Sequence, residues 1–193
     1  DRKFQPEKGV HPIDQLDQLR LNPSLRLEER ERKQQDIVTY LKKDIPKNFK
    51  QAWDHKDAKI KERWREAIRR EFDGMEKRGV WRVIKIREIP PNRRLIKHRW
   101  VFDIKRDGRF RARLVACGYS QVPGVDFQNS FAPTISDVTW RILLILMLIN
   151  GYTARIVDVE TAFLYGKLDE EIFMEKPDGL NIKEDECVRL EKA

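Results

Sequence analysis

Apolar side chains recur at steps of three and four residues through the middle of the chain. From about Asn48 onward this stripe consists of Ile60, Trp64, Ala67, Ile68, Phe72 and Met75. The spacing predicts one amphipathic helix, which ends at Gly79. The opposite face is basic and carries Lys59, Lys61, Arg63, Arg65, Arg69 and Arg70. A solvated helix face explains these cations more simply than phosphate binding does.

Two runs of alternating residues, 95–104 and 109–119, flank Arg106-Asp107-Gly108 and follow a shorter strand pattern at 80–84. Asp-Gly between alternating runs predicts a β-hairpin. Its basic side chains are Lys97, His98, Arg99, Lys105, Arg106, Arg109, Arg111 and Arg113. Because a hairpin that only meets solvent would mix charges of both signs, this pattern favours a ribbon that faces phosphates.

The second half of the chain contains an almost wholly apolar segment, residues 138–149, which Ser136 or Asp137 can cap. A helix that is apolar on all sides is predicted to be buried, here as a scaffold for the segment that follows it. Further strands are predicted at 168–174 and 187–190. Together with the hairpin, these elements predict an α+β fold in which helices pack on an antiparallel sheet.

The first 45 residues are polar and contain three prolines, with only a weak helical pattern over Leu27–Leu41. This composition predicts that residues 1–45 are a polar linker or arm and that the folded part is 46–193.

A lone carboxylate, Asp158, interrupts the hydrophobic segment at residues 156–166. Because a charge is costly inside a strand, Asp158 is expected at the strand's exposed end. One interpretation is a helix N-cap that accepts the amide hydrogens of Glu160 and Thr161. The other is a Mg²⁺ ligand beside backbone amides that meet a phosphate. The remaining acids do not complete a metal site, because Glu160 points to the other face and a solvent-facing turn holds Asp169, Glu170 and Glu171.

Composition narrows the choice of partner. The 193 residues carry a net charge of +8 and have a pI near 9.5, which favours a polyanionic partner such as nucleic acid. The two cysteines form no CxxC motif, so free thiols in a reducing, intracellular compartment are expected, without a zinc site. The longest apolar run is too short to span a bilayer. Because the chain begins at Asp1 rather than Met, we expect it to be a piece of a longer protein.

Several short motifs occur in a fixed order between about residues 60 and 190. They are Trp64 with Ala67 and Glu71, Gly79-Val80-Trp81, Arg99-Trp100-Val101-Phe102, Lys105-Arg106-Asp107-Gly108, Arg111-Ala112-Arg113-Leu114-Val115-Ala116-Cys117-Gly118-Tyr119-Ser120-Gln121, Gly124-Val125-Asp126-Phe127, Ser130-Phe131-Ala132-Pro133, Asp158-Val159-Glu160-Thr161-Ala162-Phe163-Leu164-Tyr165-Gly166, Ile172-Phe173-Met174 and Pro177-Asp178-Gly179. Each motif alone is weak, but the ordered series resembles the reverse transcriptase of the Ty1/copia class of retrotransposons.

The resemblance implies an RNA-directed DNA polymerase that uses Mg²⁺, with Mn²⁺ as the alternative, in two-metal nucleotidyl transfer. Its partners would be an RNA template, a DNA primer, deoxynucleoside triphosphates and the rest of a Pol polyprotein, with no membrane. The setting would be intracellular, in a cytoplasmic virus-like particle or in the nucleus. Residues 46–135 would form the fingers of a right-hand polymerase, and residues 136–193 would begin its palm.

The resemblance also implies roles for individual residues. Asp158 would be a catalytic, metal-binding carboxylate, with the Val159 carbonyl as a second oxygen ligand. The backbone amides near Thr161 and Ala162 would meet the triphosphate, while Phe163 would lie under the sugar and reject a 2′-hydroxyl. The remaining implied contacts are basic: Arg113, or Arg111 if the register slips by two, and Lys105 or Lys97 at the triphosphate, with Arg99, Arg106 and Arg109 on nucleic acid. Of these, Arg113 and Lys105 are favoured for the triphosphate.

The chain departs from the family pattern in two respects. Cys117 stands where Lys is more common, and residues 1–193 contain no Asp-Asp pair and hence no Tyr-x-Asp-Asp motif. This polypeptide is therefore expected not to polymerise DNA by itself. One alternative is a non-catalytic or repurposed remnant that binds nucleic acid through its basic hairpin. Another is purely structural, with Asp158 as a helix cap and the cations as solubilising groups.

Overall fold

The fold is known from a computed structural model. It describes residues 6, 9–21, 25–118, 134–157, 159 and 162–192.

The central helix α4, Ala58–Lys77, has the predicted apolar stripe. Its buried residues include Trp64, Ala67 and Ile68, which confirms the period of three and four. Asp57 begins the helix as its N-cap and accepts hydrogen bonds from two backbone amides, those of residues 59 and 60, at 2.9 and 3.0 Å. Capping of this kind satisfies donors that have no partner in the first turn.

The predicted hairpin is confirmed as β3, His98–Ile104, and β4, Phe110–Ala116, paired antiparallel. The turn between them is held by a hydrogen bond from the Gly108 amide to the Lys105 carbonyl at 2.8 Å. Gly108 has a φ of 78°, in the left-handed region where glycine carries no steric penalty. The run at 95–104 is split, however, because Leu95–Ile96 forms a separate strand, β2.

The inner face of the hairpin packs on α4 through aromatic rings. Trp64 is 1% exposed and meets Phe102 and Phe110 edge-on, with ring centroids 5.3 and 4.6 Å apart. Farther along the helix, Phe72 meets Trp100 edge-on at 5.2 Å. These contacts place the hairpin on the core and fix which of its faces points outward.

The second sheet has four strands in the order β1-β6-β5-β2, where β1 is Trp81–Lys85, β5 is Lys167–Met174 and β6 is Glu186–Lys192. β6 pairs antiparallel with both β1 and β5, whereas β2 runs parallel to β5. The prediction of a purely antiparallel sheet is therefore wrong for this one pair. The 70 residues between β2 and β5 leave ample chain for the crossover that a parallel pair requires.

The two sheets are joined at the turn 177–179. The Trp100 indole donates to the Asp178 carbonyl at 3.1 Å, and the Asp178 amide donates to the His98 ring at 3.1 Å. His98 therefore has a structural contact at the base of the hairpin.

Residues near the N-terminus form two helices, α1 (Pro12–Leu21) and α2 (Leu27–Leu41), where the sequence suggested a polar arm with one weak helix. The helix over Leu27–Leu41 is confirmed. Both helices contribute to the hydrophobic core, through Ile13, Leu16, Ile37, Val38 and Leu41. The apolar residues of α1 are too few to stand out in a polar sequence, although they are spaced to lie on one face. A short helix α3, Phe49–Trp53, precedes α4. The single helix predicted from about Asn48 is therefore divided in two, because Asp57 caps a new helix at Ala58.

The apolar helix is α5, Asp137–Ile149, and Ser136 is confirmed as its cap because its hydroxyl accepts the Thr139 amide hydrogen at 3.2 Å. The prediction that this helix is buried is wrong for the part of the chain that the structure describes. Trp140 is 50% exposed and Leu148 is 75% exposed, and no described helix or strand packs extensively along α5. An apolar sequence predicts that a helix has a surface to bury, but it does not predict which other element packs against that surface.

The segment around residue 158 also differs from the prediction. Residues 152–157 and residue 159 are not in a strand, and Ile156 is 97% exposed. A 3₁₀ helix, Ala162–Tyr165, precedes β5. The apolar pattern predicted a strand here, but none of the described strands pairs with these residues, and a strand needs a partner for its backbone groups.

Among the described helices, none is long and apolar enough to cross a membrane. Cys117 and Cys187 are both buried, and neither forms a disulfide within the described part of the chain.

We expect Asp57→Ala to lower the free energy of unfolding by about 1 kcal/mol, because it removes the N-cap of α4. Burial raises the pKa of Asp57, but hydrogen bonds from the Ile60 amide, His11 and the Lys59 amide outweigh it, so the pKa lies below its ordinary value. A lowered carboxyl pKa gives stability that is complete above the unfolded-state pKa and is lost as the pH falls through the folded-state pKa. The difference between wild type and variant should therefore be full at neutral pH and shrink below about pH 4.

Chemical denaturation at a series of pH values measures this difference. The matched control is Asp73→Ala, which removes an exposed carboxylate from the same helix and should stay within about 0.5 kcal/mol of wild type. A difference for Asp57→Ala that stays constant down to about pH 3 would contradict the capping assignment.

Candidate nucleic-acid interface

Strand alternation gives the hairpin one buried and one basic face. Trp100, Phe102, Ala112 and Leu114 are buried against the core. The residues between them point the other way, because successive side chains of a strand alternate. We call the outward arginines Arg99, Arg111 and Arg113 the cationic face. Arg99 and Arg113 are exposed, and Arg111 is partly buried.

The register of the hairpin brings the three arginines together. Arg113 lies opposite Val101, and Arg99 lies opposite Val115, so Arg99 and Arg113 are diagonal neighbours with Cβ atoms within roughly 8 Å. Arg111 precedes Arg113 by two residues on the same strand, so the two side chains lie on the same face. A slip of register by two is therefore not needed for Arg111 to share a face with Arg113.

Only one acidic side chain occurs within the two strands, Asp103, and it lies directly opposite Arg111. Its carboxylate also contacts the Lys42 ammonium at 3.1 Å. Since Asp103 already binds Lys42, it offsets only part of the positive charge of the hairpin. The cationic face keeps a net positive charge around two small apolar residues, Val101 and Val115.

The turn of the hairpin adds further cations, which differ in how they are paired. Arg109 donates to the Asp107 carboxylate from its backbone amide at 3.0 Å and from its side chain at 2.6 Å. Burial raises the pKa of Asp107, but these contacts with Arg109, together with the charge of Arg20, hold it below its ordinary value. Arg106 is exposed. Arg109 is therefore matched locally by a carboxylate.

Lys97 and Lys105 flank the cationic face at opposite ends. Each is four residues from Val101, the partner of Arg113, and therefore roughly 13 Å away along the strand at about 3.3 Å per residue. Lys97 and Lys105 therefore lie at equal distances from Arg113 along the hairpin. Either lysine could accompany Arg113 at a triphosphate.

Glu71 is a residue to which the sequence gave no role beyond the resemblance. It lies on α4, and its carboxylate accepts the Leu114 amide hydrogen at 3.3 Å, which occupies a donor on the outer edge of β4. Burial raises the pKa of Glu71 in spite of that bond and of the nearby charges of Arg113 and Arg78. The sequence feature that could have revealed this role is the position of Glu71, three residues after Ile68 and thus on the apolar side of the helix.

The basic face of α4 is largely occupied by contacts within the chain. Lys59 binds Asp14, and Arg63 binds Asp17. Arg65 donates to the Trp53 carbonyl at 2.9 Å and stacks over the Trp53 ring, while Arg69 binds Glu62 at 3.0 Å. The sequence predicted a solvated face, whereas four of its six cations have partners within the chain.

The acidic candidates fall partly outside the described residues. Asp158, Glu160 and Thr161 lie outside them, as does the side chain of Phe163. Val159 is 59% exposed, and Ala162 is exposed at the start of the 3₁₀ helix. No group of three metal-ligating side chains occurs within the described part of the chain.

Glu170 and Glu171 were predicted to face solvent in an acidic turn, but they lie within β5. Glu170 binds Arg93 at 2.9 Å, and Glu171 binds Arg189 at 3.0 Å. The prediction is wrong for these two residues, because the acids have arginine partners on distant segments that spacing alone does not reveal.

Comparisons with known proteins agree on one family. The model of the family described as "Reverse transcriptase (RNA-dependent DNA polymerase)" matches residues 78–193. The chain is 34% identical over 142 residues, 71% of its length, to the retrovirus-related Pol polyprotein from transposon TNT 1-94 of Nicotiana tabacum. It is 36% identical over 139 residues, 68% of its length, to that from transposon RE2 of Arabidopsis thaliana.

A yeast relative gives a similar result. The chain is 32% identical over 142 residues, 72% of its length, to the transposon Ty1-DR5 Gag-Pol polyprotein of Saccharomyces cerevisiae. The alignments cover 10%, 9% and 8% of these three relatives, so the chain spans about a tenth of the length of the polyproteins it matches. No solved structure matches it. The mixed helix and sheet fold is consistent with part of a reverse transcriptase domain, and the chain belongs to the reverse transcriptase family, of the Ty1/copia type.

Proposed function

We propose that the chain is the part of a copia-type RNA-directed DNA polymerase that binds the phosphates of template, primer and incoming nucleotide. The observation that carries this proposal is the cationic face, where three arginines share the outward side of a hairpin whose other side is packed on α4. Phosphate contacts supply most of the sequence-independent affinity for nucleic acid. A polymerase needs such affinity, because it must bind every sequence that it copies.

The proposed nucleotide contacts are Arg113 and Lys105, with Arg111 and Lys97 as the alternatives. Arg99, Arg106 and Arg109 are the proposed contacts to template and primer. Arg113 and Arg99 suit these roles because both are exposed on one face. Arg109 is the weakest candidate, since Asp107 already binds its guanidinium.

The proposed metal site rests on Asp158, with the Val159 carbonyl as a second oxygen ligand for Mg²⁺ or Mn²⁺. Carboxylate and carbonyl oxygens are the hard ligands that Mg²⁺ prefers. A bound metal ion would neutralise charge that develops on the transferring phosphoryl group. The amides near Thr161 and Ala162 and the side chain of Phe163 are the proposed contacts to the triphosphate and the sugar.

In this proposal residues 46–135 are fingers and residues 136–193 begin the palm of a right-hand polymerase, preceded by the segment 1–45. Residues 1–193 contain no Asp-Asp pair, so we propose that this polypeptide binds but does not extend a primer. Inside the cell it would act together with the remainder of a Pol polyprotein, with RNA, a DNA primer and deoxynucleoside triphosphates as its partners.

A second candidate is a non-catalytic module that binds nucleic acid through the hairpin alone. It is favoured by the position of the cationic face, which is complete among the described residues and needs no contribution from Asp158. The two candidates differ in whether nucleotide binding depends on a divalent metal ion.

We expect Arg113→Ala and Arg99→Ala each to weaken binding of an RNA–DNA hybrid duplex. Each removed phosphate contact should reduce the slope of log affinity against log salt by about 1. Fluorescence anisotropy between about 0.05 and 0.2 M salt measures both quantities. The matched control is Arg87→Ala, an exposed arginine outside the hairpin, which should keep the wild-type slope. Equal slopes for all four proteins would exclude the cationic face as the phosphate-binding surface.

We expect Asp158→Asn to abolish the part of deoxynucleoside triphosphate affinity that depends on Mg²⁺, because the amide removes a charged oxygen ligand. Calorimetric titration of the triphosphate with and without Mg²⁺ measures that part. Affinity for the hybrid duplex should not change, and Asp185→Asn, an exposed acid in the turn before β6, should behave as wild type. If Mg²⁺ strengthens nucleotide binding to the Asp158→Asn variant as it does for wild type, the metal assignment is wrong and the non-catalytic module is favoured.

A further inference from the structure

The turn of the cationic hairpin is held from outside by α1 and α2. The Gln34 side-chain amide on α2 donates to the Arg106 carbonyl at 2.8 Å. The Arg20 guanidinium on α1 donates to the Asp107 carbonyl. Both contacts are made to the main chain of the turn, so they hold its path and leave its basic side chains unbonded by these two donors.

A close apolar contact complements the two hydrogen bonds. Leu16 on α1 is 2% exposed and fills the space beside Gly108, where an added Cβ would lie 2.5 Å from the nearest Leu16 methyl carbon. The turn therefore rests directly on α1, and only a residue without a side chain fits there. Leu16, Arg20 and Gln34 thus contact three successive residues of the turn.

These helices are themselves tied to the rest of the fold. His11 contacts the Asp57 carboxylate at 2.8 Å at the start of α4, and the acids of α1 bind two cations of α4. Lys42, just after α2, binds Asp103 on β3 at 3.1 Å. The support beneath the turn is therefore fixed to the same helix that packs on the inner face of the hairpin.

A two-stranded hairpin is at best marginally stable alone, and its turn is the part farthest from other strands. A flexible turn would have to be ordered when it binds phosphates, and that ordering reduces affinity. A turn whose carbonyls are already bonded loses less conformational freedom on binding. The structure therefore supplies a reason for two helices outside the family-matched residues 78–193 to affect phosphate binding.

We propose that Leu16, Arg20 and Gln34 are positioning residues that hold the turn so that Lys105, Arg106 and Arg109 meet phosphates in a preorganised arrangement. This inference rests on the proposed function, and it extends the binding surface to residues that make no contact with nucleic acid themselves. It assigns α1 and α2 to the binding apparatus and not to a separate linker.

The variant Gln34→Leu tests this inference, because it removes the donor from a partly exposed position and leaves the core intact. Its matched control is Gln35→Leu, since the neighbouring glutamine lies on the same helix and its side-chain amide donates to Thr39 of α2. We expect Gln34→Leu to weaken binding of the RNA–DNA hybrid duplex by roughly two- to tenfold, the effect of losing about one net hydrogen bond. Backbone amides of the turn should exchange faster with solvent, while the control should match wild type in both measurements.

A double-mutant cycle separates positioning from a general loss of stability. If Gln34 acts through the turn, the effects of Gln34→Leu and Arg106→Ala on affinity should be less than multiplicative, because each removes part of the same contact. The effects of Gln34→Leu and Arg99→Ala should multiply, since Arg99 is on the strand. Arg20→Met should repeat the pattern of Gln34→Leu.

The outcomes distinguish failure of this inference from failure of the proposed function. If Lys105→Ala, Arg106→Ala and Arg109→Ala weaken binding but Gln34→Leu and Arg20→Met match the control, the positioning role is wrong and the proposed function stands. If none of the three turn variants nor Arg99→Ala and Arg113→Ala weakens binding, the proposed function fails, and the positioning role fails with it.

Discussion

The packing of the α4 indole between two hairpin phenyl rings is the interaction on which the rest of this structure depends. A two-stranded ribbon has too few partners to be stable alone, and Trp64 gives it one by meeting Phe102 and Phe110 on its inner face. Burying a large apolar side chain contributes on the order of 1.5–3 kcal/mol. Several such side chains along α4 hold a hairpin that its own hydrogen bonds would leave marginal.

This packing also determines the chemistry of the opposite face. Because strand side chains alternate, burial of Phe102 and Ala112 forces the intervening positions outward. The arginines on that side remain exposed to solvent or partly so. They lie close together because the antiparallel register aligns the two strands. Glu71 connects the core to the basic face. It lies on α4, and its carboxylate accepts the amide hydrogen of Leu114, the residue next to Arg113. The core and the basic surface are therefore two sides of one element.

The parts of the fold that sequence could predict were those specified by local spacing. The α4 stripe, the hairpin with its Asp-Gly turn and the Ser136 cap all depend on neighbours within a few residues, and all are confirmed. The family was also predictable, because its motifs occur in order. The parts that failed depend on distant partners.

Each failure has a physical cause of this kind. The spacing at 138–149 shows an apolar helix but contains no information about what lies against it. Glu170 and Glu171 bind arginines that are distant in the chain or on another strand, and Leu95 of β2 pairs in parallel with Phe173 of β5, 78 residues later. Asp158 lies outside the described residues, and its proposed role follows from the resemblance.

The fit of Leu16 against Gly108 links two positions that are 92 residues apart in the chain. Asparagine is the residue that best tolerates a positive φ after glycine, so a relative with Asn at the turn would need a smaller side chain than Leu on the first helix. Residues 16 and 108 should therefore covary among relatives that keep this contact between α1 and the hairpin turn. In relatives that lack α1, position 108 should accept residues other than glycine.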